Sequence, residues 1–351
     1  MLSIKKAVCG LLAVALMATP LLGGCQSQPK SQSGGGVNST AADSKTTENS
    51  DYPKKTITLI NQFAAGGSSD VLGRALASVV NKYIGATVMV ENRPGGSGTI
   101  GTDYVLKSKP DGYTLLITSS GNFTTTPIVQ GAPYDPVKDV KHIIGIESLP
   151  MAIVVNADSQ WKTLEDLVNY CKENPGKLKA GAGVPGGTNH MAWQRFTKTA
   201  GIKTNEIPFG GGTSEATTSL LGNHIDASVL HPTEISEQLK GGKLRMLAIF
   251  SDEKLVDYPD VPTAKECGYD VVVQVNKGIS GPAGLPDDIV QKIHDAFKQT
   301  MEDPEFIKIV QKTGDYNYLK YETGDELKTD LDKMRDDFSP LLKELGLEKK
   351  K

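Results

Sequence analysis

The chain has 351 residues, 38 lysines and arginines against 41 aspartates and glutamates, and a formal net charge of −3 with both signs scattered. That balance, without a basic stripe, excludes a nucleic-acid binder held by phosphate contacts. The length suits two ordinary domains with their own cores, and four cysteines are too few for a disulfide scaffold.

The chain opens with Lys5-Lys6, an apolar run over 7–22 broken by Pro20, and Leu22-Gly23-Gly24-Cys25. This pattern reads as a secretory leader over 1–24, too short for a comfortable membrane span. Its last four residues resemble the lipobox of bacterial lipoprotein signals. The resemblance implies a lipid on Cys25 that anchors the chain to a membrane face without spanning it. Residues 25–51 are then the lipidated cysteine and a flexible tether, since Ser, Gly, Thr, Gln, Asn and Lys leave nothing to bury.

The folded part begins at Tyr52. Ile57 and Leu59 alternate as a strand, and Val71, Leu72, Ala75, Leu76, Val79, Val80 and Tyr83 follow at helical spacing. Between them lies Phe63-Ala64-Ala65-Gly66-Gly67-Ser68-Ser69-Asp70. A strand, a glycine-rich turn and a helix aim free N–H groups and the positive end of the helix dipole at whatever lies in front. No Gly-Lys-Ser/Thr and no Gly-x-Gly-x-x-Gly follows, so the anion expected is a small carboxylate rather than a nucleotide. The two glycines could instead serve only a tight turn. Asp70 either complements the helix dipole or attracts a ligand ammonium.

A second strand over 86–92, a glycine-rich turn over 93–98 and a helix over 99–107 come next. A strand over 113–118 then ends in Ser119-Ser120-Gly121-Asn122. Strands alternating with helices imply a parallel sheet, with ligands bound beyond the carboxyl ends of the strands. The pattern continues with a strand over 151–155 and a helix over 163–171 opened by a Thr163-x-x-Asp166 capping box. A strand over 178–181 leads into Gly181-Ala182-Gly183-Val184-Pro185-Gly186-Gly187-Thr188-Asn189-His190, which repeats the first loop's design before a helix over 191–200. Phe209-Gly210-Gly211-Gly212-Thr213 repeats it again. Such loops on separate domains, facing each other, would clamp a small anion. A strand over 227–230, a helix over 263–267, an extended run over 271–279 and a charged helix from Asp287 complete the reading. Extended passages near 150 and 275 read as two crossings between domains, which permit hinge closure.

Nucleophilic catalysis finds little support: no Gly-x-Ser-x-Gly elbow occurs, and Ser68 has no recognisable base partner. The five histidines show no zinc-ligand spacing, so neither metal nor cofactor is called for. His190 either touches ligand or caps its helix. Arg74 is expected on an outer helix face, Arg93 bracing its turn, Trp161 and Trp193 in packing, and Cys171 and Cys267 as buried thiols.

Taken together these words resemble the Bug-type extracytoplasmic solute receptors of tripartite tricarboxylate transporters. The matching stretches are Tyr52-Pro53, Phe63 to Asp70, Glu91-Asn92-Arg93-Pro94-Gly95-Gly96-Ser97-Gly98 with Gly101, Pro110-Asp111-Gly112-Tyr113, Tyr134-Asp135-Pro136, Asn174-Pro175-Gly176-Lys177, Pro208-Phe209, Gly241-Gly242-Lys243-Leu244-Arg245, Pro259-Asp260-Val261-Pro262-Thr263 and Gly281-Pro282-Ala283-Gly284. The resemblance implies an α/β, two-lobed periplasmic-binding-protein fold, type II-like, with two crossover segments. Lobe one would be 52–152 plus 275–347, and lobe two 153–274. It also implies a non-enzymatic, monomeric receptor outside the cytoplasm, at the periplasm or cell surface. Such a receptor would take a small organic carboxylate and hand it to membrane permease subunits; a sensor feeding a signalling partner is the alternative. Carried to matching positions, the ligand contacts are Phe63, Ala64, Ala65, Gly66, Gly67, Ser68, Asp70, Ser119, Ser120 and Asn122 on lobe one. On lobe two they are Gly183, Gly187, Thr188, Asn189, His190, Gly210, Gly211 and Thr213. The chain departs from the family where Phe209-Gly210-Gly211 replaces a common Tyr-Lys-Gly, which removes a positive charge.

Overall fold

The structure, a computed structural model, describes residues 51–209 and 213–349. The leader, Cys25, most of the tether, Gly210 and Gly211 lie outside the described residues. The first part of the fold forms β1 (Ile57–Asn61), α1 (Ser68–Ile84), β2 (Val88–Asn92), α2 (Thr99–Leu106), β3 (Thr114–Ser119), α3 (Thr126–Gln130) and a long β4 (Val140–Pro150). Then come β5 (Ala152–Asn156), α4 (Leu164–Glu173), β6 (Lys179–Gly183), α5 (Thr188–Ala200), β7 (Asn205–Pro208), α6 (Thr213–Leu221), β8 (Ala227–Leu230), α7 (Ser236–Lys240) and β9 (Leu244–Ile249). The last part is β10 (Gln274–Pro282), α8 (Asp287–Glu302), α9 (Pro304–Thr313), β11 (Leu319–Thr323) and α10 (Gly324–Glu344).

These strands make two sheets, one of six in the order β11-β4-β10-β3-β1-β2 and one of five in the order β7-β6-β8-β5-β9. The parallel sheet expected from the strand–helix alternation is only half of the first one. β2, β1 and β3 run parallel, whereas β10 is antiparallel to β3 and β4, and β11 to β4. Two of the three antiparallel strands, β4 and β10, are the passages that leave for the second sheet and return from it, so no helical crossover sets their direction, and β11 adds to the edge of β4. The helix expected over 263–267 is a single turn: Glu266 caps Thr263 reciprocally, and Gly268, at φ 90°, ends it. The Thr163–Asp166 capping box at the start of α4 forms as expected.

Each sheet carries its own core. In the first, Leu72, Leu76 and Val80 of α1 meet Leu59, Ile117 and Phe297. In the second, Ile153, Trp193, Phe196 and Phe250 form the centre with Leu167. Each such side chain contributes about 1.5–3 kcal/mol by leaving water. Trp161 and Trp193 both belong to this second core. Cys171 is buried and Cys267 half-buried, both as free thiols. Helix α10 spans both sheets: Leu327 and Leu331 pack beside Phe123 and Leu116 in a smaller cluster of the first, while Phe338, Leu341 and Leu342 are buried in the core of the second.

Where α8 meets α9, Asp303 caps α9 through the Glu305 N–H at 2.7 Å and accepts from Tyr83 at 2.6 Å and Lys82 at 3.1 Å on α1. The Tyr83 hydroxyl, then the Glu305 N–H and Lys82, bring its pKa from 3.8 to about 2. The folded value lies below the unfolded one, so the stabilisation is present above pH 4 and lost as pH falls toward 2. Asp303→Asn should flatten this part of the acid limb in denaturation curves recorded between pH 4 and 2; an unchanged slope would remove Asp303 from the account.

Candidate functional site

At the carboxyl ends of the parallel strands the glycine-rich turns of both sheets converge on one cavity of about 350 Å³, a size that suits a small ligand. The first sheet contributes the β1–α1 turn, the β2–α2 turn and the end of β3. The second contributes the β6–α5 turn, the start of α6 and the segment after β8, and β10 supplies Val275 and Lys277. Gly101 lets α2 press onto this corner, because a Cβ there would stand 2.7 Å from the Arg93 carbonyl and 2.9 Å from the Gln62 Cα.

Most of the residues read from the sequence come together here: Phe63, Ala64, Ala65, Gly67, Ser68, Asp70, Ser119, Asn122, Gly183, Gly187, Thr188, Asn189 and Thr213 line the cavity. Gly66, Ser120 and His190 are not among the lining residues. Gly66 gives its N–H to Asp70 at 3.0 Å, and the Ser120 hydroxyl meets that of Thr188 at 3.4 Å across the seam between the sheets. The His190 ring braces its own turn. Its Nδ1 accepts the Gly186 N–H at 3.0 Å, and Nε2 stands 3.3 Å from Glu206.

Asp70 borders the cavity with its oxygens committed to the turn. It accepts from Gly66, from Asn92 at 2.8 Å and from Arg74 at 2.9 and 3.0 Å. Burial alone would raise its pKa, but the Arg74 guanidinium, the Gly66 N–H and Asn92 outweigh this and hold it below the usual carboxylate range. Arg74 is thereby tied to Asp70 and Asn92. Arg93 pairs with Glu91 at 2.7 Å and stacks on Tyr104.

The electrostatics of the cavity come largely from residues that the sequence reading did not select. Glu234, just past β8, reaches across to accept the Ser68 N–H at 3.2 Å, so a protein carboxylate already sits at the N-terminus of α1. Burial would raise its pKa, yet His231, Lys277, Ser68 and Thr213 around it hold it down, so it is ionised at neutral pH. Burial pulls His231 below its ordinary value against the opposing charge of Glu234. Lys277 and Glu147, both with side chains 1% exposed, face each other on β10 and β4 with 2.9 Å between Nζ and Oε2. Burial pushes Glu147 up to about 7 against the pull of Lys277. Gly187 is the N-cap of α5 and, like Gly67 at α1, supplies no side-chain cap, which suits the first N–H groups of α5 to a ligand.

A lysine inside the otherwise extended run over 271–279 was the one available signal for this cluster. Glu234 lies in a segment with no motif. The second glycine-rich turn, Pro94 to Gly98, also lines the cavity. Among the described residues no group of three or more His, Cys, Asp or Glu could hold a metal ion. No described helix is long and apolar enough to cross a membrane.

Residues 72–347 match the family model described as the tripartite tricarboxylate transporter family receptor, TctC. A Cupriavidus necator protein, the UPF0065 protein in the gbd 5' region, is 35% identical over 261 residues, covering 74% of this chain and 79% of that protein. Protein BugT of Bordetella pertussis is 31% identical over 258 residues, covering 72% of this chain and 78% of its own. The solved structure of the periplasmic binding protein BugD superposes with a TM-score of 0.77 at 28% identity, over 85% of this chain and 100% of that one. The two-sheet α/β architecture is thus that of periplasmic binding proteins, and the chain belongs to the TctC family of Bug-type solute receptors, which bind substrates without transforming them.

Proposed function

We propose that the chain is a lipid-anchored receptor that captures a small organic carboxylate between its two lobes and delivers it to a tripartite tricarboxylate-type permease. The observation that carries the reading is the cavity itself, built from glycine-rich strand–helix turns of both sheets with an uncapped helix N-terminus in its wall. Backbone N–H groups at such a turn suit a carboxylate. The family description points to carboxylate cargo. The lobes are taken as 52–152 with 275–347, and 153–274, joined by the crossings near 150 and 275. Ligand bonds to both sides exist together only when the lobes are closed, so binding shifts that population. Lipid on Cys25 would keep the receptor beside its permease, and the tether would let it sample solution.

The test is a thermal-shift screen of the purified protein against mono-, di- and tricarboxylates, amino acids and aromatic acids. A ligand at a hundredfold excess over its dissociation constant adds about 2.7 kcal/mol of stability. A clear rise in melting temperature with a carboxylate is the expected result. A well-folded protein that responds to none of them would overturn the reading.

A further inference from the structure

We infer that Glu234 is a resident stand-in for the cargo's carboxylate: it holds the Ser68 N–H across the cleft until cargo displaces it, and this competition sets the receptor's affinity. The inference rests on the carboxylate-receptor reading and adds a residue to it. Most donors of the turn that opens α1 are already committed. Asp70 and Val71 return their N–H groups to the Gly67 carbonyl at 3.0 Å, and Gly66 gives its own to Asp70. The Ser68 N–H instead crosses to the second sheet's side, where Glu234 Oε1 accepts it at 3.2 Å, and both residues line the cavity. A carboxylate on a helix N-terminus is the bond that a cargo carboxylate would make there. Glu234 Oε2, by contrast, is buried with no hydrogen-bond partner among the described residues. The stand-in is therefore incomplete, and a ligand that brings further contacts can replace it.

Weakening the stand-in should help the cargo. Exchanging one carboxylate for another at Ser68 leaves the number of bonds across the cleft unchanged. Closure does not depend on Glu234 alone, because Thr126 to the Gly186 carbonyl and Gln130 to the Pro185 carbonyl join the same two sides. What the exchange adds is the approach of two like charges, which opposes binding. The N-terminus of α5, where Gly187 supplies no side-chain cap, offers cargo a contact that Glu234 does not replace.

The experiment is calorimetric titration of the purified full chain and two variants with succinate, malate, adipate and benzoate at neutral pH. Glu234→Gln keeps an oxygen for the Ser68 N–H while removing the charge. Glu234→Asp keeps the charge but loses the reach of one methylene, and it carries the test if the first variant folds poorly. Each acid that binds the parent should bind Glu234→Gln about 10- to 100-fold more tightly, the range for a charge-assisted hydrogen bond. Glu234→Asp should show a smaller gain in the same direction. Ser68→Pro removes the contested donor, and proline is tolerated at this first helical position behind the extended Gly67. Combined with Ser68→Pro, Glu234→Gln should gain clearly less than it does alone. Unchanged or weaker binding in both Glu234 variants, or a gain of equal size with and without the Ser68 N–H, would overturn the inference while leaving the carboxylate receptor standing. Binding of none of the four acids to the parent or to any variant would overturn both.

Discussion

Lys277→Met should destabilise the fold by about 3–5 kcal/mol at pH 8.5, the cost of removing one partner from a buried ion pair. Lys277 and Glu147 are register partners on β10 and β4, and neither side chain reaches solvent. Without the ammonium, Glu147 must either stay charged with no partner or take a proton, and Asp315 and Glu234 nearby favour the proton. The pH dependence has a definite sign. The folded pKa of about 7 lies above the ordinary 4.5, so the folded state holds a proton that the unfolded chain has released. Its contribution is complete below pH 4.5 and lost as pH rises through the folded value. Removing Lys277 raises that value further, so the deficit should be large at pH 8.5 and shrink on acidification toward pH 5. Lys277→Met with Glu147→Gln should recover most of the loss, because no buried charge remains. Urea denaturation at the two pH values measures this, and a single variant as stable as the parent at pH 8.5 would show that the pair carries no such load.

The same pair marks the limit of what sequence made legible. Strand–glycine–helix turns announce themselves because three local signals coincide: alternation, small residues, then helical spacing. That is why the walls around Gly67, Asn122 and Thr188 were found, and why the Thr163 capping box was read correctly. Glu234, Lys277 and Gln62 meet only because β8, β10 and β1 end in one place, and no local pattern encodes a meeting of three distant strands. The antiparallel half of the first sheet was missed for a related reason. β4 carries His142 and Glu147 among its apolar residues, and their burial is paid for by partners on other strands. His190 was left between touching ligand and capping its helix, since nothing local to residues 186–190 reveals Glu206 beside its ring.

Gly121→Leu should cost about 10- to 100-fold in ligand affinity while leaving the melting temperature of the empty protein close to that of the parent. Gly121 lies against the seam: a Cβ there would stand 3.2 Å from the Thr188 hydroxyl, 3.3 Å from the Thr188 nitrogen and 3.4 Å from the Thr126 hydroxyl. Alanine already crowds this space, and leucine adds a branch that must enter the second sheet's side of the cleft. Around it the two sides are stitched by Thr126 to the Gly186 carbonyl at 3.1 Å and Gln130 to the Pro185 carbonyl at 3.0 Å. The wedge therefore acts on closure. Neither core is touched, because the obstruction falls between them, which is why stability without ligand should hold. Overpacking costs about 1–3 kcal/mol, and each 1.4 kcal/mol of closure energy is tenfold in affinity. Titration of the variant with the ligand found in the screen reads this directly. An affinity within twofold of the parent would mean that binding does not require the two turns to approach as they do here, and the hinge mechanism would have to be given up even if the cavity were the binding site.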